Sequence, residues 1–155
     1  MQNNPTYTIF EFLNSIGIQV IERELPTDTF LPGIDILGST ILVDSSQLKY
    51  PGDLLHEAGH IAVTEAHLRP LIGSSEMAEN WPTDGDELGA ILWSYAACKH
   101  LSLDLEVVFH PNGYKNDSEW LIEQFRNQKY IGLPLLVWME LCENKEFPNM
   151  KKWLR

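Results

Sequence analysis

The stretch PGDLLHEAGHIAVTE, residues 51–65, decides how this chain is interpreted. Its apolar residues recur at a spacing of about 3.6, which predicts an amphipathic helix containing Leu54, Leu55, Ala58, Ile61 and Ala62. Pro51 suits the first helical position of such a helix, and Asp53 suits its first turn. His56 and His60 are four residues apart and therefore lie on one face. Two imidazoles in this arrangement can bind a single divalent metal ion.

The carboxylate beside the first histidine indicates catalysis. Glu57 is rotated away from His56 on the helix, so its carboxylate can reach a metal-bound water instead of the metal. Zinc lowers the pKa of such a water, and a carboxylate can accept its proton as the hydroxide attacks a carbonyl. Gly59 fits this interpretation, because a glycine inside a helix costs about 1 kcal/mol relative to alanine. We therefore expect another element to approach the helix backbone at Gly59.

Catalytic zinc sites commonly have three protein ligands and a water, so the two histidines need a partner. His67 points in nearly the same direction as His60, but seven helical residues rise by about 10 Å, too far for one metal ion. Metzincins break the helix at a glycine three residues after the second histidine and place a third histidine three residues further on. Those positions hold Val63 and Ala66 here. The third ligand is therefore expected from another segment.

Working outward, the pattern predicts one α+β domain spanning residues 1–155. Apolar residues at helical spacing over 5–15, followed by Gly17, predict an N-terminal helix. Three short β-rich runs predict a small, mainly antiparallel sheet of about three strands, at 18–25, 30–37 and 39–43. The helix of residues 51–65 follows, and a C-terminal helical part completes the chain. Its expected elements are a surface loop at 67–83, a helix from Thr83 or Asp84 to about Leu101, a turn at 110–113, and helices at 118–127 and 134–142.

Composition excludes several classes of partner. The net charge is −11, so a nucleic acid would be repelled. No apolar run reaches membrane-spanning length, and residues 1–5 lack the basic and apolar regions of a secretory signal. The only two cysteines, Cys98 and Cys142, are expected to be buried free thiols. We therefore expect a cytoplasmic protein that binds neither nucleic acid nor membrane.

These features together resemble the short glutamate-zincins, and the ImmA/IrrE-type metallopeptidases are the nearest group. The resemblance covers roughly residues 30–100: a small sheet, His-Glu-Ala-Gly-His at 56–60, and a second helix that carries a carboxylate. It implies a zinc-dependent peptidase of the HExxH type that acts on a peptide or protein. By position, it makes His56, His60 and Glu87 the zinc ligands and Glu57 the general base.

The residues alone leave the third ligand open. Glu87 could instead belong to the helix start, with Asp84 as N-cap and Glu87 at the third helical position. Asp84 and Asp86 are the main rival ligands, with Glu76 and Glu79 behind them. The small residues Ala90, Ser94 and Cys98 continue the face of Glu87, which would let that helix pack closely against Gly59.

Two further points stay open at this level. Tyr95, His110 or Tyr114 could polarise a substrate carbonyl or stabilise an oxyanion, although each also has an ordinary explanation in packing or turn formation. The same constellation could also hydrolyse a non-peptide amide, or form a non-catalytic metal-binding interaction module. The carboxylate of Glu57 speaks against the module, because a structural metal site needs ligands but no general base.

Overall fold

The computed structural model describes residues 4–155; residues 1–3, part of the stretch compared with a secretory signal, lie outside them. The first helix, α1, spans Pro5–Ile16. Asn4 caps it by accepting a hydrogen bond from the Thr6 amide at 3.0 Å, and Gly17 ends it at a φ of 99°. The predicted N-terminal helix and its glycine stop are therefore confirmed.

The sheet has three strands, β1 (Gln19–Glu22), β2 (Ile34–Leu37) and β3 (Thr40–Val43), in the order β1-β3-β2. β3 is antiparallel to β2 but parallel to β1, so the expected mainly antiparallel sheet is wrong for one of the two pairs. The physical reason lies in burial: residues 41–43 of β3 are all buried and take the central position. Residues 23–33 then lead the chain past the end of β3, so β1 does not pair with β2.

Among the described residues, five further α-helices follow the sheet, and the α+β class is confirmed. They are α2 (Asp53–Ala62), α3 (Asp84–His100), α4 (Leu105–Val108), α5 (Ser118–Arg126) and α6 (Leu133–Trp138). α2 begins two residues after Pro51, so Pro51 is not its first helical position. Gly52 is the N-cap instead, and it packs directly against the backbone of Val107 and Val108. α6 ends earlier than predicted, and Glu140 shortly after it has a φ of 63°.

α2 and α3 cross in close contact at Gly59. A Cβ atom at Gly59 would lie 2.8 Å from the carbonyl oxygen of Ala90 and 3.0 Å from its Cα atom. The expected approach of another element at Gly59 is therefore confirmed, and that element is α3. The face of α2 that carries Leu54, Leu55 and Ile61 is fully buried in the core. Within residues 4–155, no helix has the length and apolar character needed to cross a membrane.

Candidate metal centre

Three side chains from α2 and α3 converge beside the helix crossing. The Nε2 atom of His56 lies 3.0 Å from Oε1 of Glu87, and the Nε2 atom of His60 lies 2.5 Å from Oε2 of the same carboxylate. The two imidazole rings are perpendicular, with their centroids 4.8 Å apart. One carboxylate therefore contacts both histidines through the nitrogens that face away from their own helix backbone.

Local sequence chemistry explains why Glu87 is available for this contact. Thr83, not Asp84, is the N-cap of α3, and its hydroxyl accepts a hydrogen bond from the Asp86 amide at 3.1 Å. The Asp86 carboxylate in turn accepts a hydrogen bond from the Thr83 amide at 2.9 Å. This capping box uses Asp86 at the third helical position, so the alternative that Glu87 only caps the helix is wrong. Glu87 lies one position further on and faces α2.

Glu57 lies near the two histidines without standing between them. One ligand atom each from His56, Glu57 and His60 lie within 4.8 Å of one another. The closest approach of the Glu57 carboxylate is 3.6 Å, to Nδ1 of His60, which is the nitrogen that does not face Glu87. Glu57 therefore lies at the edge of the His–Glu–His cluster, close enough to contribute a ligand atom or to act on a molecule bound beside it.

The electrostatics of the cluster favour charged forms. Burial disfavours the His60 imidazolium, but the carboxylates of Glu57 and Glu87 outweigh burial and raise the pKa of His60 to about 9. Burial also disfavours the Glu87 carboxylate, yet hydrogen bonds from His56 and His60 lower its pKa well below the usual range. Glu87 is therefore ionised, and its charge is available to a cation of any kind.

Each imidazole is held from its other side. Nδ1 of His56 is hydrogen bonded to the Tyr114 hydroxyl at 2.9 Å. The ring of Trp81 packs edge-on against His60, and its Nε1–H donates to the Thr64 hydroxyl, which donates to the His60 carbonyl at 2.7 Å. These contacts fix the ring positions, as the outer contacts of metal-binding histidines usually do.

The segment that carries Tyr114 has an unusual backbone. Tyr114, Lys115 and Asn116 all have left-handed φ angles, of 56°, 52° and 71°. Residues with side chains lose roughly 1 to 2 kcal/mol each in this conformation, so surrounding contacts must hold the turn. One such contact is the 2.7 Å hydrogen bond between Nε2 of His110 and the buried Asp53 carboxylate, which ties the preceding turn to α2. Strained backbone of this kind often occurs at functional sites.

The cluster opens into a groove with a cavity volume of about 700 Å³. His56, Glu57, His60 and Glu87 form one part of its lining. The rest includes apolar side chains from two segments outside the helix pair, namely Phe30, Leu31, Trp81 and Pro82. Asp53, Tyr114 and Lys115 also line the groove. A ligand of several residues can therefore reach the histidines from solvent.

The remaining residues singled out from the sequence lie outside the His–Glu–His cluster. Tyr95 is buried and stacks on Phe125 with ring centroids 4.4 Å apart, so it belongs to the core. His110 is buried against Asp53, and its Nδ1 has no hydrogen-bond partner among the described residues. The His67 side chain is 72% exposed and lies 3.6 Å from the Glu65 carboxylate. Glu76 and Glu79 are exposed in the connection between α2 and α3, and Asp84 lines the groove, whereas the ion pairs of His56 and His60 with α3 are made by Glu87.

Both cysteines are buried and unpaired, as expected, and burial raises the pKa of the Cys98 thiol to about 12. Two parts of the site were missed by sequence reasoning. Asp53 precedes His56 by three residues and Glu57 by four, and this spacing could have placed it on the same helix face. Phe30 and Trp81 come from separate loops, and no local pattern connects them to α2.

Comparisons with models of known protein families, with curated proteins and with solved structures found no match to this chain.

Proposed function

We propose that this chain is a zinc-dependent peptidase in which His56, His60 and Glu87 bind the metal and Glu57 is the general base. The observation that carries the proposal is the single carboxylate of Glu87 in contact with Nε2 of both histidines, at 3.0 and 2.5 Å. Glu57 stands outside this contact and lines the groove. That separation of three ligands from one base is what a hydrolytic zinc site requires.

The donor set fits zinc. Two imidazole nitrogens and one carboxylate make one of the ligand combinations found at catalytic zinc sites, and these leave a position for water or substrate. The close approach of α3 at Gly59 supports the fit, because it holds Glu87 near α2 before any ion binds. Both cysteines lie in the core, so the site offers no thiolate of the kind that closes structural zinc sites.

In this proposal each residue has a separate task. A bound zinc ion would lower the pKa of a water molecule and polarise the substrate carbonyl. Glu57 would accept the proton of the attacking water and deliver it to the leaving amine. Tyr114 would hold His56 through Nδ1, and its hydroxyl can do so as donor or acceptor when the imidazole changes tautomer. Trp81 and Thr64 would hold His60.

The shape and charge of the groove support a peptide or protein as substrate. The groove has a volume of about 700 Å³ and places the apolar side chains of Phe30, Leu31 and Trp81 beside the candidate site, so it can take a short peptide segment. The net charge of −11 would repel a nucleic acid, which supports the proposal that the partner is not a nucleic acid. The two unpaired cysteines support a reducing compartment, and we place the protein in the cytoplasm.

The test compares hydrolysis and zinc content in the same preparations. Glu57→Gln should keep one zinc per chain and an unchanged fold while hydrolysis of a casein or peptide-mixture substrate falls by roughly 10²-fold or more. His60→Ala should lose the zinc itself, which makes it the matched control for loss of metal. Zinc loss in Glu57→Gln would make Glu57 a ligand and overturn the proposed mechanism. Stoichiometric zinc without hydrolysis in the wild-type protein would favour the non-catalytic binding module.

A further inference from the structure

Phe30 is the most exposed large apolar side chain of the described residues, with 97% of its surface accessible to solvent. It lies at the rim of the groove that contains the candidate metal centre. The core does not use this side chain, so its exposure has no explanation in folding stability. Phe30 lines this rim together with Leu31 and Trp81, and a contiguous apolar surface of this kind is typical of a binding site.

A smaller cavity of about 230 Å³ adjoins the groove at this point. Six of its lining residues are apolar: Phe30, Leu31, Ile34, Ile36, Ile72 and Trp81. Glu57, Phe30, Leu31 and Trp81 line both the cavity and the groove, so the two spaces are continuous beside the candidate general base. We call this smaller cavity the Phe30 pocket.

The backbone holds the Phe30 pocket in a defined shape. Leu31 forms a bridge with Ile34, and the Thr29 hydroxyl donates to the Leu31 carbonyl at 2.7 Å. Gly33 closes this turn at a φ of 74°, and a Cβ atom there would lie 2.7 Å from the Asp44 carbonyl oxygen. Leu31 is therefore fixed to β2 on one side of the pocket before a ligand arrives, which reduces the entropy lost on binding.

We propose that the Phe30 pocket binds a bulky apolar side chain, such as Phe or Leu, of a substrate residue next to the bond that is cleaved. This inference rests on the proposed peptidase function and adds a substrate preference to it. Glu57 fixes the position of the bond that is cleaved, because the carbonyl of this bond must lie within reach of the Glu57 carboxylate, directly or through one water. Because Glu57 lines both the groove and the Phe30 pocket, the side chain of the adjacent substrate residue can enter the pocket while the carbonyl stays within reach of Glu57.

The charges around the pocket argue against an acidic occupant. Its two ionisable lining residues, Asp35 and Glu57, are both acidic, so a substrate carboxylate would be repelled. Asp35 is exposed and already accepts a hydrogen bond from the Ile36 amide at 2.9 Å, so it stays in water at the rim. The six apolar residues and Gly73 form the rest of the wall, and we expect them to favour an uncharged, bulky side chain over a lysine.

The test measures binding separately from cleavage. Blocked alanine hexapeptides carrying one Phe, Leu, Lys or Glu at the third or fourth position, with all-alanine peptide as reference, are titrated into zinc-loaded Glu57→Gln protein by calorimetry. We expect the Phe and Leu peptides to bind about 10-fold tighter than the all-alanine peptide. Phe30→Ala, added to the same background, should remove most of this difference. Tyr7→Ala removes an aromatic side chain that is 62% exposed on α1 and should change nothing.

The outcomes separate the two proposals. Apolar preference that depends on Phe30, with no cleavage of these peptides by the wild-type protein, would keep the pocket and overturn the peptidase. Cleavage without any dependence on Phe30 would overturn the pocket and keep the peptidase. Equal binding of all peptides, no binding of any, or tighter binding of the lysine peptide would each overturn the apolar pocket. Because Phe30 is 97% exposed, its removal should leave the unfolding midpoint unchanged, which guards against a variant that fails to fold.

Discussion

Replacing Gly59 by alanine tests the contact that brings α3 to the face of α2 that carries His56 and His60. The new Cβ atom would lie 2.8 Å from the Ala90 carbonyl oxygen, well inside the 3.4 Å at which ordinary contacts begin. Both groups belong to helix backbones, so the helices must separate. Overpacking of this kind costs about 1 to 3 kcal/mol, and the helix propensity of alanine returns about 1 kcal/mol. We expect a net loss of up to about 2 kcal/mol in the free energy of unfolding.

The same displacement should move Glu87 away from the histidines and weaken zinc binding. Urea unfolding without zinc and competition with a chromogenic chelator measure the two effects separately. Gly85→Ala is the matched control: it lies in the first turn of α3, and its new Cβ atom would meet nothing closer than 3.8 Å. This control should leave zinc affinity unchanged and raise stability by up to about 1 kcal/mol. A Gly59→Ala protein with wild-type stability and zinc affinity would refute the reasoning.

Three further outcomes follow from individual contacts. Glu87→Ala should lower zinc affinity by more than the roughly 10- to 100-fold typical of outer contacts, and Glu87→Gln should lower it less than Glu87→Ala does. Asp86→Ala should lose about 1 kcal/mol of unfolding free energy while zinc affinity is unchanged. The reverse pattern would make Asp86 the ligand. Tyr114→Phe should weaken zinc binding about 10-fold, measured by the same chelator competition, and an unchanged affinity would contradict its positioning role. Hydrogen bonds from Ser46 and neighbouring groups lower the pKa of Asp44 to about 2, so its stabilisation is complete above pH 4 and is lost as the pH falls towards 2. Urea unfolding should therefore show a stability difference between wild type and Asp44→Asn that is constant near neutrality and shrinks over this acid range; a constant difference down to pH 2 would contradict this.

Local patterns were sufficient for the helices that carry the site. The 3.6-residue period of residues 53–62 and the turn at 110–113 needed only neighbouring residues, and both are present. Sheet pairing was not predictable in the same way. β3 lies between β1 and β2, and its residues 41–43 are buried. This burial depends on the packing of α1 and α2 against the sheet. Tertiary burial decides such pairings, and local connectivity does not.

The candidate site likewise contains residues that local spacing predicts and residues that only long-range contacts bring together. His56, Glu57 and His60 share one helix, so their mutual geometry follows from helical spacing alone. The sequence made Glu87 one of several carboxylates that could be the third ligand, but it could not select among them. The choice depends on whether Thr83 or Asp84 caps α3. Phe30 and Tyr114 reach the groove from distant loops, and their positions depend on left-handed turns at Gly33 and at Tyr114 itself. Long-range contacts of this kind leave no local spacing in the sequence.

Zinc K-edge X-ray absorption on protein loaded with one equivalent of zinc reports the atoms that bind the metal. We predict one tightly bound zinc per chain with nitrogen and oxygen as its only ligand atoms, at about 2.0 to 2.2 Å, including two imidazoles. Glu87→Ala should change the oxygen contribution to the spectrum, whereas Asp86→Ala should leave the spectrum unchanged. A sulfur shell near 2.3 Å, or six oxygens from a hydrated ion that binds weakly, would contradict a zinc centre built from His56, His60 and Glu87.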